Sequence, residues 1–382
     1  MDAESFVLTN VRMALADRVI DGWVAIDGGR IAEIGEGRAP ERGLDLGGDY
    51  LIPGLIELHT DHLEAHASPR PGVNWDAEAA TLAYDRQMIA SGITTVFDSL
   101  RVGADTENDR LAGQLETLAS AIDAMRDRDL LCAEHLTHLR CEIAAPDVVA
   151  NAAQFLERRR VQLMSLMDHT PGQRQFRDLP KMRAYYGRHY GLRDDAAFAD
   201  FVQQRLALHE KYAAMNRRAL VELAHRNGAA LASHDDATAE QAAEAIADRV
   251  SIAEFPTTVE AAKASHAAGV KVMMGAPNIV RGGSHSGNIA AEELAAAGAL
   301  DILSSDYEPA SLLMAAFELP DRQPHIDLAQ AIRLVSKNPA EATGLSDRGE
   351  IAPGKRADLA QIRALGHRPA TIRVWREGRR VA

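Results

Sequence analysis

The feature that most constrains this chain is a repeated unit, a short apolar run that ends in polar residues and leads into a helical stretch. The runs are LIPGLIEL, GITTVFD, LLCAEHLTHLRCE, VQLMSLMDH, AALASHDD, VSIAEFP, VKVMMGAPN and LDILSSDYEP. Ala/Glu/Arg-rich stretches such as DAEAATLAYDRQMIASG and AEQAAEAIADR lie between them. Strands alternating with helices build parallel sheets, and eight such units predict an α/β fold of the (β/α)8, or TIM, barrel type. The competing doubly wound sheet calls for G-x-G-x-x-G after an early strand, and none stands there.

The two ends read differently. FVLTNVRMAL, GWVAIDGGRIAEIG and GLDLGGDYLIP alternate apolar and polar residues between Gly-containing turns, as do GEIAPGKRADLAQI and TIRVWREGRRVA. The expected organisation is a small β-sandwich domain built from residues 1–52 and 346–382 around a barrel over 53–345. About 168–228 breaks the rhythm and is too long for a plain βα loop, so a lid or substrate insertion is expected there.

The formal net charge of −13 argues against a general nucleic-acid binder, though a few arginines can still make a local anion pocket. Cys132 and Cys141 form neither a zinc ribbon nor a CxxC pair, which suits a reducing cytoplasm. No signal peptide and no membrane-length apolar stretch is read in the chain.

A barrel carries its chemistry at the C-terminal ends of its strands. There the sequence places His59 and Asp61, His138 and Glu142, His169, His234 and Asp235, and Asp306. This nitrogen and carboxylate set suits Zn²⁺ or another borderline divalent ion. On a strand, His59 and Asp61 would share one face and could chelate one ion. Glu142 can bridge two cations. Asp306 can take a proton from a water as general base, or can cap the helix near EPASLLMAAF, a task open equally to Ser304 and Ser305. His138 is intermediate between ligand and core, while Glu134 and His135 lie farther back.

LIPGLIELHTD after an N-terminal β segment, the strand-end histidines, the late SSD and the tail RGEIAPGKRADLAQI resemble the amidohydrolase superfamily. ELHTDHLEAHASPRPGVNW, SLMDHTPGQRQF, MGAPNIVRGGSHSGN and DILSSDYEPASLL are similar to its phosphonate-utilisation branch. The resemblance implies a distorted barrel with a β-sandwich from both termini and one or two divalent metals, Zn²⁺ first, with Mn²⁺ or Fe²⁺ as alternatives. It implies a diphosphatase of the carbon–phosphorus lyase pathway acting on α-D-ribose 1-methylphosphonate 5-triphosphate, and a homodimer. The metal set it implies is His59, Asp61, Glu142, His169, His234 and Asp306, with Glu142 in place of the superfamily's bridging lysine.

A triphosphate needs cations and backbone N–H groups. Arg281, Gly282, Gly283, Ser284 and His285 form a Gly-rich loop after strand seven, a loop type that can cradle phosphate where it leads into a helix. Arg70, Arg174 and Arg177 are the other expected anion contacts, with Lys181 and Lys337 nearby. A small amide or cyclic amide hydrolase, or a deacetylase, would share the metal ligands but not need these arginines.

Overall fold

A computed structural model of the 382-residue chain describes residues 5–70, 72–103, 112–176, 180, 182–183, 194–284, 287–366 and 368–382. Five strands open the chain: β1 (Phe6–Ala14), β2 (Val19–Asp27), β3 (Arg30–Glu36), β4 (Leu44–Asp45) and β5 (Tyr50–Pro53). Eight follow with helices between most of them: β6 (Leu55–Thr60), β7 (Ile93–Val102), β8 (Glu134–Glu142), β9 (Leu163–Met167), β10 (Ala230–His234), β11 (Ile252–Glu254), β12 (Lys271–Gly275) and β13 (Ile302–Ser304). Three close it: β14 (Leu359–Leu365), β15 (Arg368–Arg376) and β16 (Arg379–Arg380).

The first and last groups join into one mixed sheet, ordered β16-β15-β14-β5-β1-β2-β3 with β4 on β1. Antiparallel pairing of β5 with β14, Leu51 opposite Gln361, ties the two ends of the chain together. Leu8, Val24, Leu51, Leu359 and Trp375 form its apolar core. The middle group is a parallel sheet in chain order from β6 to β13. A bridge between Thr60 and Asp306 brings its two edges together into a barrel. Glu57 staples that seam, accepting from Ser304 Oγ at 2.8 Å and the Ser305 N–H at 2.5 Å. Ile56, Leu58, Phe97, Leu163, Ile252, Met273 and Ile302 fill the barrel interior.

The run LIPGLIEL, expected as one strand, is divided between the two sheets. Gly54 marks the crossing because the chain passes hard against the next strand: a Cβ there would lie 2.1 Å from Thr94 Oγ1. At the barrel's other end, away from the mouth, Glu134 at the start of β8 accepts from Arg348 Nη1 at 2.6 Å and also from Arg356 Nη1. Within the expected insertion, Asp195–Asn227 is a single helix, capped by Asp194 and stopped by Gly228 at φ 67°. Among the described residues, no helix is long and apolar enough to cross a membrane.

Candidate metal centre

The strand ends converge on one group. His59 closes on Glu254, with Nδ1 3.3 Å from Oε2. His234 Nδ1 reaches the same oxygen at 3.0 Å, as a consequence of the register that sets His234 beside Glu254 across β10 and β11. The His59 and His234 rings stack with centroids 5.4 Å apart. Ser165 Oγ donates to Glu254 Oε2 at 2.7 Å, and His138 Nε2 lies 3.6 Å from Oε1. His59, His234 and Glu254 each offer one ligand atom, all within 4.8 Å of one another, and so do His169, His234 and Asp235. Two triads that share His234 can hold one or two cations.

Hydrogen bonding points the same way. His59 Nδ1, Glu254 Oε1 and Asp235 Oδ2 are buried with no hydrogen-bond partner. Such an atom costs about 1–3 kcal/mol, so three at one spot call for an explanation. A divalent ion that takes up their lone pairs supplies it. The donor set, imidazole and carboxylate without thiolate, fits Zn²⁺, Mn²⁺ or Fe²⁺.

Burial pushes His59 down to about 4, against the opposing pull of Glu254. It takes His138 down to about 3 in spite of the same carboxylate. Both are therefore neutral at pH 7, and a neutral imidazole is the form that binds metal. Burial by itself would raise Glu254, but the facing His59, His138 and His234 outweigh it and hold the carboxyl well below its usual range. Burial also opposes charge on His234, yet Asp235 and Glu254 raise it. Asp306 is pushed up to about 7 by burial and then by the charge of Asp61. Asp235, Phe255 and Asp306, each just past a strand, have φ of 57°, 51° and 55°. Left-handed non-glycine residues of this kind cost about 1–3 kcal/mol each and cluster at functional sites.

The expected residues take varied positions. His59, His169 and His234 meet in the triads. Glu142 belongs to neither triad: its Oε2 accepts from His169 Nδ1 at 2.7 Å and its Oε1 from the His169 N–H at 3.2 Å, so it orients that ring. β6 ends at Thr60, and Asp61 has φ −95° and ψ 14° at the start of a short helix, so the same-face argument does not reach it. Its charge bears on Asp306. Asp306 does not cap the following helix, whose first flanking residue is Pro309. His62 and His66 both bond Gln87 Oε1, at 3.0 and 2.9 Å. His138, with its ring between Leu58 O at 2.9 Å and Ser165 Oγ, supports Glu254 from within the barrel.

The expected anion contacts change most. Arg174 is buried, and its Nη1 donates to Asp236 Oδ1 at 2.6 Å and to His234 O at 2.9 Å, which braces β10. The Gly-rich loop does not leave a strand directly. A helix, Ala276–Arg281, grows straight from β12, and the glycines sit at its C-terminal end. The Gly282 and Gly283 N–H groups donate to Ile279 O at 3.1 Å and Asn278 O at 2.8 Å, so these amides cap the helix and are not free to cradle phosphate. Arg281 is exposed and reaches Tyr307 Oη at 3.2 Å. Ser284 is half-buried and Arg70 is exposed. Lys337 pairs with Glu350 at 2.6 Å. Arg177, Lys181 and His285 lie outside the described residues.

Sequence reasoning missed Glu254 altogether, and it counted Asp235 among the strand-end carboxylates without carrying it into the expected metal set. Both stand at strand ends, in IAEFP and ASHDD, and that position was the available signal.

Comparison with known proteins bears on the family and the fold. The amidohydrolase family model matches residues 189–382. The α-D-ribose 1-methylphosphonate 5-triphosphate diphosphatase of Escherichia coli (strain K12) is 46% identical over 98% of this chain and 100% of its own. Among solved structures, molinate hydrolase superposes with a TM-score of 0.65 at 14% identity, covering 100% of this chain and 95% of that one. An amidohydrolase crystal structure gives 0.64 at 15% identity, covering 99% and 98%.

Proposed function

The chain belongs to the amidohydrolase family, and on that premise we propose that it is a metal-dependent diphosphatase cleaving α-D-ribose 1-methylphosphonate 5-triphosphate to the 5-phosphate and diphosphate. The observation that carries this reading is the 46% identity to the Escherichia coli diphosphatase across the whole of both chains. The solved structures, at 14–15% identity, support the barrel and not the substrate.

In this reading His59, His234, Glu254, His169 and Asp235 hold one or two divalent ions, Zn²⁺ first, with Asp61 and Asp306 closing the mouth side. A divalent ion bound there supplies Lewis acidity for phosphoryl oxygens and acidifies the attacking water. Glu142 orients His169, and Ser165 and His138 orient Glu254. Asp306, with its carboxyl pushed up to about 7, can accept the proton of the attacking water near neutral pH. The proposal includes a cytoplasmic homodimer with a small-molecule substrate and no nucleic-acid or membrane partner. The charge of −13 and the unpaired Cys132 and Cys141 support that setting.

The test is a phosphorus-NMR time course on the triphosphate, run beside elemental analysis and a panel of small amides. Diphosphate and the 5-phosphate should appear in equal amounts, with the amides inert. Chelation should slow release roughly a thousandfold, since such an ion is worth several kcal/mol. Full activity in a verified metal-free preparation, or an amide cleaved faster than the triphosphate, overturns the reading.

A further inference from the structure

β8 carries an arginine that none of the roles above employs. Ser99 and His138 are register partners on β7 and β8, and Ser99 Oγ meets His138 Nδ1 at 3.1 Å inside the barrel. Side chains two residues further on point to the same face. Arg101 and Arg140 are the next inward pair, directly opposite each other and one pleat nearer the mouth. Arg140 stands between His138 and Glu142 on that face of β8, and its charge bears on His59, His138, His234 and Asp306. Among the described residues Arg140 makes no hydrogen bond or ion pair, and its buried Nε has no partner. Arg174, Arg217 and Arg356, which are buried, each lie against a carboxylate, at 2.6, 2.7 and 3.0 Å, whereas Arg140 is half-buried.

This placement is unfavourable by itself. A guanidinium keeps its charge at every accessible pH. A cation beside a dication site repels it. An anion lying between them turns this repulsion into an attraction. The guanidinium fork matches a tetrahedral oxyanion and can donate two parallel hydrogen bonds to it.

We propose that Arg140 receives the phosphoryl oxygens of the substrate's triphosphate chain and holds them against the metal centre. This rests on the diphosphatase reading and assigns it an anion subsite on β8, away from the capped glycine loop.

Inorganic diphosphate binding to the metal-loaded protein tests it, measured by calorimetry for wild type, Arg140→Met and Arg140→Lys, beside KM for the triphosphate, metal content and Tm. Loss of a charge-assisted bidentate contact should weaken diphosphate binding and raise KM about tenfold to a hundredfold in Arg140→Met. Metal content should stay at the wild-type level. Arg140→Lys keeps the charge without the fork and should fall between the two; it also decides the matter if Arg140→Met does not fold. Binding and KM within about twofold of wild type in both folded variants overturn the proposal. So does a defect that disappears once metal is resaturated, because Arg140 would then serve only the ligand set. A wild-type protein that binds diphosphate through Arg140 but cleaves no triphosphate overturns the functional reading and leaves the anion site standing.

Discussion

β8 carries two buried histidines, three residues apart, with opposite fates. His135 faces out of the barrel and His138 faces in. Both are buried among carboxylates, yet His135 is raised to about 9 and His138 is lowered to about 3. The outer ring is fully engaged: Nδ1 lies 3.0 Å from both oxygens of Asp98, and Nε2 lies 3.2 Å from Asp85 Oδ1. Burial opposes its charge, but two facing carboxylates overcome that. The inner group sets Glu254 against three imidazoles, with Asp235 beside His234, and it leaves His59 Nδ1 and Glu254 Oε1 without a hydrogen bond. Burial alone therefore does not separate a structural histidine from a ligand. What separates them is whether the surrounding polar atoms are satisfied.

Substitutions at each cluster put that contrast to the test. The largest effect is expected at Asp306→Asn, which removes the proposed proton acceptor. Turnover should drop about a hundredfold or more with Tm retained, and near-wild-type turnover would remove its role. Next comes Glu254→Gln. It should reduce metal affinity about tenfold to a hundredfold or more, read by metal content after dialysis. Retention of full metal would show that the unsatisfied atoms have another explanation.

Asp98→Asn should do the reverse, costing about 3–5 kcal/mol of stability by breaking a buried pair while metal content holds. Metal loss there would erase the distinction between the two clusters. The smallest effect is the pH dependence of His135. Its pKa is raised from 6.5 to about 9, so its stabilisation is complete below about pH 6.5 and is lost as pH rises through about 9. The loss is on the order of 3 kcal/mol. Denaturant titrations at pH 6 and 9.5 should show that decline in wild type and a smaller one in Asp98→Asn. An equal decline in both would assign it to other groups.

Several site residues are legible in the amino-acid sequence. His59, His169 and His234 each end an apolar run, and the barrel rule brings such residues together. Glu254 is equally placed but ends a strand of only three residues, Ile252–Glu254. Whether its carboxylate turns inward depends on its register opposite His234, which a single strand does not record. Asp61 departs from expectation because extended spacing holds only as far as Thr60, where the strand ends. The arginines are the least legible. A loop arginine near the mouth looks like an anion contact, yet Arg174 is drawn under β10 by Asp236, while Arg140, in mid-strand, looks like an ordinary half-buried residue.

The sequence by itself determined the alternation of strands and helices, the pairing of the two ends into a second sheet, and the histidines available at the strand ends. These are local properties, carried by apolar periodicity, turn residues and residue type. Only the tertiary structure decided which carboxylate faces those histidines, which arginine is neutralised and which is left in the mouth. Those outcomes turn on register between strands and on contacts between residues far apart in the chain, such as Glu57 with Ser304 at 2.8 Å and His59 with Glu254 at 3.3 Å.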